Sequence, residues 1–164
     1  MLFRSGGAAA LPEDEQKRLR LEKPLPAKLN DALLDELEAS HCGLMPKSAF
    51  GNMALAQRYR DAHQAAVLVK AAETHGNAVL LAGNGHVRND RGVPYYLRQL
   101  APDKKIVSVM LIEVEDGKTE PAAYLPRDPD GKPAVDYMLF TPRAERKDPC
   151  AEMREMMAKR KQPN

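Results

Sequence analysis

Residues 78–82, Ala-Val-Leu-Leu-Ala, form an unbroken apolar run that stops at Gly83-Asn84-Gly85-His86. No other feature of the chain limits its fold so sharply. A run of this length, bounded by turn residues, is the pattern of a strand buried on both faces. The segments around it strengthen that reading. Apolar positions recur at threes and fours over 25–40 (Leu29, Ala32, Leu33, Leu37) and again over 48–74 (Phe50, Met53, Ala56, Ala66, Leu68, Val69). These predict two helices, the second capped by Ser48 and closed by Gly76. Pro94 suits the first turn of a short helix through Leu100. Residues 106–114 are rich in Val and Ile and predict a second strand, Asp116-Gly117 a turn, and 135–140 a third strand. Helix, strand, helix, strand predicts an α/β fold with a mostly parallel sheet and flanking helices.

Three regions are expected. Residues 1–24 are charged and weakly patterned, a lead-in that is frayed or at most partly helical. Residues 25–150 carry the α/β pattern. Residues 151–164 form a terminal helix, with Met153, Met156 and Met157 on one face, and a tail. A length of 164 residues fits one domain. The net charge is +2, which gives no basis for a nucleic-acid coat. Proline is abundant at 13, but the excess is confined to a loop-rich stretch between Pro121 and Pro149. Residues 1–10 are too interrupted for a secretory apolar region, and no run approaches the roughly 20 residues that cross a bilayer.

In open α/β sheets ligands bind beyond the carboxyl ends of strands, which is where Gly83-Asn84-Gly85-His86 falls. Gly83 and Gly85 allow close backbone approach, Asn84 offers a donor and an acceptor, and His86 can act as acid, base or metal ligand. Arg88, Asp90 and Arg91 make the mouth ionic. The same residues also fit a tight turn with a structural histidine. Gln57, Asp61 and Gln64 share a helix face, where Asp61 could orient His86 or simply join a solvated stripe with Arg58 and Arg60. His41-Cys42 offers too few ligands for a structural zinc site and reads as a helix-terminal His beside a buried Cys. His63 and His75 read as surface residues. Tyr95 and Tyr96 follow Pro94; a phenolate suits ferric haem, although most such tyrosines only pack. Cys42 and Cys150 read as two free thiols, or as one disulfide in an oxidising compartment.

Four blocks carry a family resemblance: His41-Cys42-Gly43; Ala56-Gln57-Arg58 with Arg60-Asp61-Ala62; Ala82-Gly83-Asn84-Gly85-His86-Val87-Arg88 with Gly92-Val93-Pro94; and Asp136-Tyr137 through Phe140-Thr141-Pro142-Arg143 to Asp148-Pro149-Cys150-Ala151. Over residues 25–155 the chain resembles the ChaN-type haem-binding uptake proteins of the Tiki and TraB group. That group is marked by two Gly-x-x-His motifs. Residues 83–86 match the second; the first, Gly-Glu-x-His, and the strand that carries it have no counterpart here, and Gln64 stands where the family block has Met. The resemblance implies a non-enzymatic haem-binding protein linked to iron acquisition, and a homodimer. It implies a tyrosine ligand, with Tyr96 the first choice and Tyr95 the second, and Arg88 and Arg91 as propionate partners. It also implies an extracytoplasmic lipoprotein whose signal would lie upstream of Met1, and, from their presence in two of the blocks, a Cys42–Cys150 disulfide. The alternatives are the carboxyl-terminal portion of a domain without activity of its own, and a metal-dependent hydrolase of the Tiki/TraB type using His86 with Asp61 nearby.

Overall fold

The computed structural model describes residues 11–160. The expectations for residues 1–10 and for the tail from 161 lie outside them. The elements are helices α1 (Glu13–Arg18), α2 (Ala27–Ser40), α3 (Phe50–His75) and α4 (Val93–Leu100), strands β1 (Val109–Glu113) and β2 (Tyr137–Thr141), and helix α5 (Pro149–Arg160). The fold is α/β with a partial, parallel sheet: β1 and β2 pair in parallel with Leu111 opposite Leu139.

Helix α3 is the spine, packing against α2 on one side and α4 on the other. Its inner face is lined by Ala54, Ala62 and Ala65, which let neighbouring backbones approach closely, and Phe50 anchors its first turn. Gly76 ends α3 at φ +84°, a left-handed position that glycine takes without steric cost. Ser48 lies in a short 3₁₀ turn, Lys47–Ala49, and makes no cap bond; Ala49 occupies the N-cap. Pro94 lies in the first turn of α4, as its missing N–H predicts.

Over the described residues the charged lead-in is partly helical, as α1, and it also adds to the core. Leu11, Leu19 and Leu21 are buried with Ala62, Ala65, Val93 and Tyr96 in the main core. Arg58 secures the segment: its guanidinium donates to the Lys23 carbonyl at 2.7 Å and to the Tyr96 hydroxyl at 3.1 Å. Three spaced leucines among many charges conceal the pattern in the sequence, yet each leucine removed from water contributes about 1.5–3 kcal/mol.

The apolar run 78–82 is also different. It joins no ladder, and Val79 and Leu81 are 84% and 91% exposed. Its composition suits a strand covered on both faces, but only one face has neighbours: Leu80 packs against the main core, while Val79 and Leu81 on the other face are left open. The sheet has the same character. Val109, Leu111, Tyr137, Leu139 and Phe140 are all exposed, although parallel strands are ordinarily covered on both faces. Helix α5 likewise presents Met156 to solvent, and none of its described residues is buried. It is held to the body by a Cys42–Cys150 disulfide, with a Cα–Cα distance of 5.6 Å.

Candidate functional site

The loop after residue 82 makes one compact turn, with the His86 amide donating to the Gly83 carbonyl at 2.9 Å. Neither Gly83 nor Gly85 needs a positive φ. Gly85 serves close approach instead: a Cβ there would meet the Glu36 carboxylate at 3.3 Å. The tighter constraint is Gly92, which the sequence marked only as part of the block Gly92-Val93-Pro94. A Cβ at Gly92 would lie 2.9 Å from the Arg88 carbonyl oxygen and still nearer that of His86. Those carbonyls take the amides of Gly92 (3.0 Å) and Val93 (2.8 Å), so the loop folds back onto the start of α4.

His86 and Asp61 meet. His86 Nδ1 is hydrogen-bonded to Asp61 Oδ1, and Gln57 Nε2 lies 3.3 Å from the same nitrogen. Asp61 is almost wholly buried, and removal from water pushes its carboxyl up to about 6, with the His86 bond and nearby Arg60 acting in the opposite direction. Arg60 donates to Gln57 Oε1 at 2.6 Å, which turns the Gln57 amide nitrogen toward His86. An ionised Asp61 only accepts, so the bond takes the Nδ1 proton, and the Gln57 amide nitrogen, itself a donor, lies beside that contact without adding to it. Gln64, on the same face of α3, has a buried Oε1 with no hydrogen-bond partner among the described residues.

The remaining residues singled out from the sequence tie the loop in place. Asn84 Nδ2 donates to the Leu111 carbonyl of β1 at 2.8 Å. Arg88 makes a two-pronged contact with Asp90 at 2.9 Å and reaches the Arg127 carbonyl at 3.0 Å. Arg91 pairs with Asp90 at 2.7 Å and with Glu36 of α2. Both guanidiniums are buried and already hold carboxylates. Tyr96 is fully buried, and its hydroxyl accepts the Arg58 hydrogen bond; burial raises the phenol further above its ordinary value, which disfavours a phenolate. Tyr95 is half-buried and meets the Tyr96 ring edge-on at 5.2 Å.

Beside this cluster lies an open groove of about 630 Å³ between α2 and α3. Leu33, Leu37, Met53 and Ala56 supply its apolar wall; Glu36, Ser40, His41, Gln57, Tyr59 and Arg60 supply the polar one. Gln57 and Glu36 belong to both regions, so the His86 loop braces one side of the groove. The sequence reading did not find this groove, because its two walls come from separate helices whose crossing no local pattern encodes. Its size falls within the roughly 300–1,000 Å³ of ordinary ligand and cofactor pockets. Its walls are part apolar and part polar, with the exposed Arg60 guanidinium at the rim. Among the described residues no three His, Cys, Asp or Glu side chains converge as a metal site.

This is the architecture of a small α/β binding unit, with a cofactor-sized groove backed by a Gly-x-x-His loop. Residues 1–97 match the family described as haem-binding uptake, Tiki superfamily, ChaN, and the chain belongs to that family. The match takes in the lead-in, the groove and the His86 loop and ends within α4, so the resemblance of the block from Asp136 onward lies outside it. No curated protein and no solved structure matches the chain.

Proposed function

We propose that the chain is a non-enzymatic haem-binding module of a haem and iron uptake system. The observation that carries this reading is the position of the groove, which is built entirely from family-matched residues. It offers an apolar face for the porphyrin and Arg60 for a propionate; bound haem supplies an iron centre for capture and transfer. In this reading His86, Asp61 and Gln57 stiffen the groove wall, Asn84, Arg88 and Arg91 fix the loop behind it, and Tyr95 and Tyr96 seat α4 on α3. Titration with haemin tests the proposal. A saturable Soret shift at a fixed stoichiometry is expected; spectra that only add, without saturation, refute it. Tyr96→Phe is the companion variant: loss of the shift in a folded protein would return the ligand role to Tyr96.

The same reading places the protein outside the cytoplasm, held at a membrane as a lipoprotein. The Cys42–Cys150 disulfide supports an oxidising compartment. Among the described residues no helix is long and apolar enough to cross a membrane. The uncovered apolar sheet supports pairing of two copies, which sedimentation over a concentration series measures.

A further inference from the structure

Away from the groove the strands leave one large apolar surface open, and we propose that a second copy of this chain packs its own strand face against it, sheet on sheet. The proposal names the contact for the pairing of copies given above, on which it rests, and it does not involve haem. The surface follows from alternation. Parallel register sets Val109 beside Tyr137 and Leu111 beside Leu139, so these four side chains share one face of the sheet. The opposite side of β1 belongs to the body. There Ser108 and Met110 are buried, and the Ser108 hydroxyl donates to the Val87 carbonyl in the loop that leads to α4. Residues 78–82 alternate in the same way: Leu80 packs on the core formed with α3 and α4, while Val79 and Leu81 turn outward. Asn84 joins the two parts, donating to the Leu111 carbonyl at the edge of β1. All six outward side chains therefore point away from the α3–α4 body, and each is between 44% and 91% exposed.

Area and charge select the occupant. The six residues leave roughly 700 Å² open, more than the roughly 300–600 Å² of the largest patch on an ordinary monomer. Two copies would bury roughly 1,400 Å² in total, inside the range of about 1,200–2,000 Å² for a stable interface. None of the six is charged. Glu113, two residues beyond Leu111 on the same side of β1, is held by both terminal nitrogens of Arg146 at 2.6 and 2.8 Å. Two identical faces bring like charges together, so a neutral patch with its rim charge already paired is what self-pairing requires. The side chains also suit a sheet-on-sheet core: two β-branched valines, three leucines and a tyrosine whose hydroxyl can stay wet at the rim. Sheets stacked in this way lie about 10 Å apart with their side chains interlocked. A two-fold contact uses the same patch on both copies and closes at two.

The test is sedimentation of the full chain with the disulfide intact, over a concentration series, comparing wild type, Leu139→Lys and Val67→Lys. Leu139→Lys puts a cation into the contact face of each copy and is expected to raise the dimer dissociation constant by at least about 100-fold. Val67 is an exposed residue of α3 outside the face, and Val67→Lys should leave the constant unchanged. Should Leu139→Lys fail to fold, the wild type decides the matter alone. With a soluble gadolinium chelate added, the methyl resonances of Val109, Leu111 and Leu139 should be quenched in dilute protein and shielded at high concentration. Equal quenching across a range in which dimer forms overturns the face while leaving the pairing of copies standing. An unchanged constant in folded Leu139→Lys does the same, as does a comparable loss in Val67→Lys. A wild type that is monomeric at every concentration overturns both the pairing and the face. Assemblies that grow beyond two overturn the closed contact.

Discussion

Breaking the Cys42–Cys150 disulfide gives the most direct test of how this fold is held. The bond closes a loop with a sequence separation of 108. In the chain-entropy description, cross-linking a loop of that length removes about 5 kcal/mol of disorder from the unfolded chain. Small domains are stable by only about 5–15 kcal/mol, so the bond supplies a large share. Other ties cannot substitute for it at the carboxyl end. No described residue of α5 is buried, and the Arg154–Asp148 and Glu152–Asp148 contacts are local to the helix start. Once the bond is cut, α5 is expected to leave the body, and its regained freedom lowers the net loss to about 3–5 kcal/mol. Urea unfolding of Cys42→Ser, of Cys150→Ser and of the wild type under reductant measures this. With a slope near 2 kcal/mol per molar urea, the midpoint should fall by about 1.5–2.5 M in all three. Because the effect belongs to the closed loop, the two serine variants should agree with each other and with reduction. A midpoint that moves by less than about 0.5 M would refute the reasoning. So would a large fall in Cys42→Ser alone, which would trace the effect to the strained φ at residue 42.

Asp61 binds its proton more tightly when folded, at about 6 against an ordinary 3.8, so the folded state holds more protons between those values and stability falls as pH rises through that window. The loss is about 3 kcal/mol, and Asp61→Asn should flatten that leg of the stability–pH curve measured by urea melts. Gln64→Met removes a buried oxygen that lacks a partner among the described residues and should stabilise the protein by about 1–3 kcal/mol in the same assay. Gly92→Ala forces a methyl against two backbone carbonyls and should cost about 1–3 kcal/mol, with the His86 imidazole resonances shifting as the loop is displaced.

What could be read in the sequence was what depends on near neighbours. The helices over 25–40 and 48–74, the proline start of α4 and both ladder strands follow from periodicity, propensity and turn chemistry, and they appear within a few residues of their expected bounds. The spacing of Gln57, Asp61 and Gln64 also placed an acid where it could meet His86. What escaped the sequence depended on distant partners. The run 78–82 carries the composition of a strand covered on both faces, yet only Leu80 packs on the core, and Val79 and Leu81 stay exposed. Leu19 and Leu21 sit among charges, and only the α3–α4 surface makes them core residues. The candidate site divided the same way: the His86 loop stood out by its glycines, while the groove arises from helix crossing.

The two edges of the small sheet differ in what they permit. Val114 donates to Thr141 of β2 at 3.0 Å, so alternate residues of β1, Leu111 among them, turn their backbone groups to the outer side. Asn84 takes the Leu111 carbonyl on that side, while among the described residues no side chain is bonded to the outer side of β2. Copies added head to tail, the outer edge of β2 against the outer edge of the next β1, would grow without closing into a filament, and Asn84 obstructs that growth. Two copies meeting through β2 alone use the same edge twice, run antiparallel and terminate as a closed pair. One asparagine in the loop 83–86 therefore occupies the β1 edge position that such growth would need.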